Sequence, residues 1–211
     1  MTRVGIIGAG HIGSAIARGL LAQGHEVAIS NSRGPETLVE LVDQLGDGAH
    51  AATAADAAAF GEWAVVTVPL KAIDDLPVDE LAGKIVVDTN NYYWERDGHI
   101  AELDEKRTTT SQMLQDRLPR STVVKGFNHI VSSQILSDGM PAGTPDRRAL
   151  ATAGDTEDGI RFMTELYNAF GYDTVAIGPL SESWRIERDQ PGYGQRLTSA
   201  ELREALARAE R

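Results

Sequence analysis

The chain has 211 residues, 42% of them hydrophobic, with 31 acidic and 20 basic side chains, a formal net charge of -11 and no cysteine. That charge excludes a surface for nonspecific binding of nucleic acid or anionic membrane, and the missing thiols exclude disulfides, thiolate metal sites and cysteine nucleophiles. No apolar run approaches the roughly 20 residues that span a bilayer, and the glycines from Gly8 to Gly13 interrupt any leader-like stretch, so a cytoplasmic protein is expected.

Arg3-Val4-Gly5-Ile6-Ile7 is a β-branched run that suits a buried strand. It meets Gly8-Ala9-Gly10-His11-Ile12-Gly13, and then Ile12, Ile16, Leu20 and Leu21 recur on one face of a helix. Strand, glycine turn and helix in this order form a dinucleotide fingerprint. Gly8 permits the tight turn, Gly10 lets backbone approach a pyrophosphate, and Gly13 lets helix and strand pack closely. His11 and Ile12 sit where the helix N-terminus offers its free N–H groups to an anion.

Glu26 to Ser30 is the second strand, and it runs into Asn31-Ser32-Arg33-Gly34 with no carboxylate at its tip. A carboxylate there holds the ribose 2′-OH of NAD, whereas a nearby Arg accommodates the 2′-phosphate of NADP. Amide, hydroxyl and guanidinium donors suit that phosphate. The same residues also fit a solvated turn, but the missing acid weighs for NADP(H).

Pro35 opens a helix through Leu45, His50 to Ala52 forms a short third strand, and an Ala-rich helix runs to Phe60. Trp63 to Val68 is a buried strand that stops at Pro69-Leu70-Lys71, a loop that can floor the nicotinamide ribose and ring or in which Pro69 simply ends the strand. A helix from Leu76 to Leu81 precedes the fifth strand, Lys84 to Asp88, whose end carries Thr89-Asn90-Asn91 and the aromatics Tyr92, Tyr93 and Trp94. Ligands of open α/β sheets bind beyond the carboxyl ends of strands, which makes Asn90 a candidate contact. The charged stretch 95–104 is expected at the surface. Thr109 to Ser111 cap a helix to Leu118, and Ser121 to Gly126 is the sixth strand, followed by Phe127-Asn128-His129-Ile130.

The expected architecture is a Rossmann-type doubly wound parallel sheet of order 3-2-1-4-5-6 over residues 1–136. Residues 137–182 form a small strand-helix-strand extension that closes the substrate cleft, with a loop from Ser137 to Arg148 before it. Residues 183–211 form a charged arm and a terminal helix with a Thr198/Glu201 capping box. A helix this short needs a partner on its own body or on a second subunit. A homodimer is expected, from that helix and from the aromatic cluster at Tyr92 to Trp94.

Four features together make the chain resemble the NADPH-dependent reductases of coenzyme F-420, a deazaflavin hydride carrier. They are Gly8 to Gly13, Asn31-Ser32-Arg33, Gly126-Phe127-Asn128-His129-Ile130, and Ala153-Gly154-Asp155 with Gly178-Pro179-Leu180. The resemblance spans roughly residues 3 to 182. It implies that Ser32 and Arg33 hold the 2′-phosphate, that Val68-Pro69-Leu70 line the nicotinamide side, and that Asn128, Ile130 and Ser132 approach the paired rings. Asn128 stands where some relatives have a histidine, so no histidine's role passes to it or to His129. His129 reads as a structural polar contact, with donation to the acceptor as the alternative. The charged C-terminus departs from the apolar helix that relatives often carry.

Hydride transfer between two rings needs positioning and a dry contact, with no acid, base or nucleophile from the protein. No triad, metal cluster or paired acid and base stands out, so no catalytic side chain and no metal are expected. The reading is an oxidoreductase moving a hydride between NADP(H) and coenzyme F-420. Reduction of a flavin, an imine or a carbonyl, and a noncatalytic NADP-binding regulator, are the alternatives. Imine and β-hydroxy acid reduction normally need a longer chain with a helical substrate domain and an identifiable proton donor.

Overall fold

The computed structural model describes residues 1–211. The strands and helices follow in chain order as β1 (Arg3–Ile7), α1 (His11–Ala22), β2 (Glu26–Ser30), α2 (Val39–Leu45), β3 (Ala49–Ala52), α3 (Ala54–Phe60) and β4 (Trp63–Val66). Next come α4 (Val78–Leu81), β5 (Ile85–Asp88), α5 (Trp94–Asp97), α6 (Ala101–Asp104), α7 (Thr110–Arg117), β6 (Thr122–Lys125) and α8 (Gln134–Ser137). The chain ends with β7 (Ala149–Gly154), α9 (Glu157–Ala169), β8 (Asp173–Ala176) and α10 (Ser199–Ala207). No helix is long and apolar enough to cross a membrane.

One sheet carries all eight strands in the order β3-β2-β1-β4-β5-β6-β7-β8. The first six are parallel, in the order the sequence implied, and the protein is an α/β Rossmann-type fold. Strand alternation sends Val4, Ile6, Val27, Ile29, Val65, Val87 and Val124 to one face, under α1 and α9. It sends Ile7, Ala64, Val66, Val86 and Val123 to the other, under α3, α4 and α7. Both faces are covered, which is why these strands read as near-continuous apolar runs.

The β7-α9-β8 unit continues this sheet. β7 pairs antiparallel with β6, Lys125 opposite Ala153 and Val124 opposite Gly154, while β7 and β8 are parallel. The reversal points the carboxyl ends of β7 and β8 toward the amino-terminal side of β1 to β6. Ala153-Gly154-Asp155 and Gly178-Pro179 therefore face away from the glycine turn. A cavity of about 590 Å³ lies there, on the opposite side of the sheet from the glycine turn, with Asp155, Glu157 and Arg161 in its wall.

Three local expectations change. The helix expected from Pro35 begins as a 3₁₀ turn (Pro35–Leu38), and the one expected from Leu76 is a 3₁₀ turn (Leu70–Asp75) followed by the one-turn α4, because Pro77 cannot continue a helix from Leu76. Residues Leu180–Ile186 form a further 3₁₀ turn that the charge pattern hid. The terminal helix α10 has its capping box and buries Leu202 and Leu206 against Ala149, Ala151 and Val175 of β7 and β8. It finds its partner within the chain, so it supplies no argument for a second subunit.

Candidate dinucleotide and substrate site

The three glycines between β1 and α1 are required for three different reasons. Gly8 has φ +117°, and a Cβ there would lie 2.4 Å from the Thr67 carbonyl oxygen, so both conformation and space demand glycine. A Cβ on Gly13 would meet the Gly8 carbonyl oxygen at 2.1 Å, which is the close helix-to-strand packing the motif implies. Gly10 is the exception. Its φ of -78° suits any residue, and no protein atom lies within 4 Å of the Cβ it lacks. Nothing in the protein demands glycine there, and the open space suits a group from outside. α1 starts beside it with no side-chain cap and no acid in its first turn, leaving its N–H groups and dipole free for an anion. This arrangement fits a pyrophosphate.

At the tip of β2 the Asn31 carboxamide is spent on the turn itself. Its Oδ1 accepts the backbone N–H groups of Arg33 (2.9 Å) and Gly34 (3.0 Å), and its Nδ2 donates to Thr37 Oγ1 (2.9 Å). Asn31 thus shapes a fixed loop that leaves Ser32 and Arg33 exposed. A cavity of about 420 Å³ runs from this loop to the glycine turn, walled by Gly8, Gly10, Ser32, Val68, Pro69 and Lys71. Leu70, expected to line this end, does not: it is 1% exposed and packs into the core below β4. The 3₁₀ turn points Leu70 inward and turns Lys71, the last residue of the expected Pro69-Leu70-Lys71 loop, to the cavity. Asp75 also lines the cavity, the one carboxylate of its wall. Asp97 ties the Lys71 loop to the next one. Burial alone would raise its carboxyl, but Arg96 and the backbone N–H groups of Tyr93 and Lys71 outweigh this and hold it below the usual carboxylate range.

On the other flank of the glycine turn, His11 and Ser132 share a cavity of about 570 Å³ with Ser14, Arg18 and Ser133. Its wall carries an imidazole and a guanidinium and no carboxylate. Ile12 is half-buried and packs against the core.

The carboxyl ends of β5 and β6 are joined by a buried polar network. Lys125 and Asp88, both side chains fully buried, pair at 3.1 Å. Lys125 Nζ also donates to the Asn90 carbonyl (2.5 Å) and to Thr110 Oγ1 (2.8 Å), and Asp88 accepts from Ser111 Oγ (2.7 Å) and from the Asn90 N–H (2.8 Å). Asn90 is 3% exposed, yet neither its Nδ2 nor its Oδ1 has a partner.

Asn128 and His129 are placed differently. Asn128 Nδ2 donates to Asn91 Oδ1 (3.1 Å) and to the Ile186 carbonyl (2.9 Å), and its backbone carbonyl accepts from Asn91 Nδ2 (2.7 Å). The Ala151 N–H donates to His129 Nε2 (3.0 Å), so the ring proton is on Nδ1, where it reaches Asn128 Oδ1 (3.1 Å). Burial, aided by the charges of Arg148 and Lys125, pushes the His129 pKa down to about 3. The ring is neutral and fully engaged, a structural polar contact as the sequence favoured. Ile130 packs in the core between the sheet and α1. The structure thus gathers the glycine turn, Asn31, Ser32, Val68 and Pro69 at one cavity and His11 and Ser132 at its neighbour, while Leu70, Asn90, Asn128, His129 and Ile130 lie inside the protein.

The C-terminal arm crosses these strand ends. Glu187 accepts from Thr110 Oγ1 (2.8 Å), Arg188 makes a bidentate pair with Glu95 (2.7 and 2.9 Å), and the Tyr193 and Tyr93 hydroxyls meet at 2.5 Å. Arg147 and Arg148, at the end of the expected loop, are buried clamps. Arg148 bonds Gln134, Asp138 and the Gln195 carbonyl, pinning α8 and the arm together.

Comparison with known proteins agrees with this geometry. Residues 3–92 match the family model described as NADP oxidoreductase, coenzyme F420-dependent. Over 54 residues the chain is 37% identical to YjhV of Escherichia coli (strain K12), a stretch covering 26% of this chain and 39% of that relative. The chain therefore spans well under two thirds of the curated relative it matches. Among solved structures, hypothetical protein SMa0349 of Sinorhizobium meliloti superposes with a TM-score of 0.80 at 29% identity, over 94% of this chain and 96% of that one. A protein of Arthrobacter sp. FB24, provisionally named an F420-dependent NADP-reductase, does so with a TM-score of 0.73 at 22% identity over 87% of each chain. An imine reductase of Myxococcus stipitatus shares the fold at 20% identity and a TM-score of 0.59, over 86% of this chain and 56% of that one. Over residues 3–92, then, the chain is similar to the family of NADP oxidoreductases described as coenzyme F420-dependent.

Proposed function

We propose that the protein is an NADP(H)-dependent oxidoreductase whose second substrate is a deazaflavin hydride carrier of the coenzyme F-420 class. The observation that carries the reading is the cavity between the open side of Gly10 and the acid-free tip of β2. Gly10 and the first turn of α1 would hold the pyrophosphate, Ser32 and Arg33 the 2′-phosphate, and Lys71 would add a second cation to that end. Val68 and Pro69 wall the cavity, and Asn90 lies buried beyond them at the end of β5. When bound, NADPH supplies a hydride. The protein's own part is to bind, orient and exclude water, since its one buried histidine is locked neutral and Lys125 has all three ammonium protons engaged.

The arm of residues 183–211 and the loop before β7 form the acceptor side in this reading. The experiment mixes the protein and NADPH with coenzyme F-420, with flavins, and with imine and carbonyl panels, and follows NADPH oxidation. Oxidation by the deazaflavin alone supports the reading, and oxidation by an imine or carbonyl alone replaces the acceptor. Tight NADPH binding without oxidation by any acceptor makes the protein a noncatalytic NADP-binding regulator.

A further inference from the structure

Buried polar atoms in folded proteins are almost always paired, so a side chain with two unpaired atoms in the interior calls for a reason. Asn90 is the clearest case in this protein, with Nδ2 and Oδ1 both buried and both without partners. Its backbone, by contrast, is held at each end: the N–H donates to Asp88 Oδ1 at 2.8 Å and the carbonyl accepts from Lys125 Nζ at 2.5 Å. The side chain is free while the backbone that aims it is clamped.

The clamp is an expensive one. A buried ion pair is usually no more stabilising than apolar residues of the same volume, so stability alone gives little reason for Lys125 and Asp88 at the centre of the sheet. What the pair does provide is fixed geometry. Lys125 spends its three protons on Asp88, the Asn90 carbonyl and Thr110 Oγ1. Asp88 spends Oδ1 on the Asn90 N–H and Oδ2 on Lys125 and Ser111. Thr110 passes its own proton to Glu187 of the C-terminal arm at 2.8 Å. Asn90 follows β5, which lies between β4, whose end leads into the cavity residues Thr67 and Val68, and β6, whose end leads into Asn128.

We propose that the Asn90 carboxamide pairs with the carboxamide of the nicotinamide ring, and that Lys125 and Asp88, tied through Thr110 to Glu187 of the arm, are positioning residues that aim it. The proposal rests on the dinucleotide reading above. A primary carboxamide offers one donor and one acceptor side by side, and the unpaired Nδ2 and Oδ1 of Asn90 supply their complement. The arm thereby bears on the cofactor without touching it.

The test compares NADP⁺ with adenosine 2′,5′-bisphosphate, which lacks the nicotinamide half, and with the 3-acetylpyridine analogue of NADP⁺, which lacks the amide N–H. Asn90→Ala weakens NADP⁺ binding by about tenfold, the scale of a lost buried hydrogen bond, and leaves the bisphosphate unchanged. Wild type binds the acetylpyridine analogue more weakly than NADP⁺, and Asn90→Ala binds the two alike. Lys125→Met shows the same selective loss. Should that variant fail to fold, Thr110→Val and Glu187→Gln, which keep the ion pair, show a smaller loss of the same selectivity. Folded clamp variants that bind NADP⁺ as wild type overturn the positioning role, and equal loss of NADP⁺ and bisphosphate overturns the Asn90 assignment. A wild-type protein that binds neither compound overturns the dinucleotide reading itself.

Discussion

The hydroxyls of Tyr93 and Tyr193, 100 residues apart in sequence, meet at 2.5 Å and fasten the C-terminal arm to the loop after β5. The Arg188 guanidinium lies over the Tyr93 ring, 5.3 Å from its centroid, while pairing with Glu95. Burial first, and the hydrogen bond to Tyr93 second, push the Tyr193 phenol above its ordinary value. Burial does the same to Tyr167 and Tyr172. A phenol whose pKa is raised by folding contributes stability that is complete below its unfolded value and is lost as pH rises through the folded one. Stability is therefore expected to fall above about pH 10. Tyr193→Phe removes one of these groups and flattens that fall, and at neutral pH it costs about 1 kcal/mol, the worth of one hydrogen bond. Chemical denaturation at pH 7 and pH 10.5, with limited proteolysis of residues 187–197, measures both effects.

The glycine turn predicts a separation of folding from binding. Gly10→Ala adds a methyl group where no protein atom lies within 4 Å, so it should melt with wild type while losing dinucleotide affinity. Gly8→Ala and Gly13→Ala drive a Cβ to 2.4 and 2.1 Å from carbonyl oxygens and should destabilise the fold. Strain and overpacking of this kind cost about 1 to 3 kcal/mol each. Thermal melts beside NADPH titrations decide it, and a Gly10→Ala variant with unchanged affinity would remove the pyrophosphate from that position.

Choice between NADPH and NADH should depend on Arg33. It is exposed on a loop that Asn31 holds in shape, and a charge-assisted bond to a 2′-phosphate is worth about 1.5 to 3 kcal/mol. Arg33→Ala is expected to weaken NADPH by about tenfold or more while NADH changes little. An unchanged ratio of the two affinities sinks the assignment. Lys71→Ala should shift the ratio in the same direction by less.

His129 gives a prediction at acid pH. Its pKa is depressed from the ordinary 6.5 to about 3 by burial and by Arg148 and Lys125. A base whose pKa is lowered by folding contributes stability present above its unfolded value and lost as pH falls toward the folded one. The protein should therefore lose stability between pH 6.5 and about 3, and histidine NMR should show the His129 ring silent through neutrality. A His129 resonance that titrates near pH 6.5 in the folded protein contradicts the buried, neutral ring. His129→Ala leaves Asn128 Oδ1 and the Ala151 N–H without partners and is expected to cost about 2 to 4 kcal/mol, measured by urea unfolding at pH 7.

Much of this molecule was legible along the chain. Runs such as Arg3 to Ile7 and Trp63 to Val66, the glycine turn, and the caps at Thr109 and Thr198 are local patterns, and local patterns decide backbone conformation within a few residues. The order of the first six strands was expected because the glycine fingerprint points to the dinucleotide fold, whose common order is 3-2-1-4-5-6. What tertiary structure alone decided depends on partners distant in sequence. Leu70 and Lys71 exchanged places because a 3₁₀ turn, not an extended loop, follows Pro69. His129 and Asn128 look like ligands in sequence, but Ala151, Asn91 and Ile186 take up their hydrogen-bonding groups. Arg147 and Arg148 stand in a loop of glycines and prolines, yet their pairing with Asp173 and Asp138 buries them. The polar residues at the ends of β5 and β6 could be named from the sequence. Which of them keeps an unpaired side chain, as Asn90 does, was settled only by the folding of Lys125, Thr110 and the arm around it.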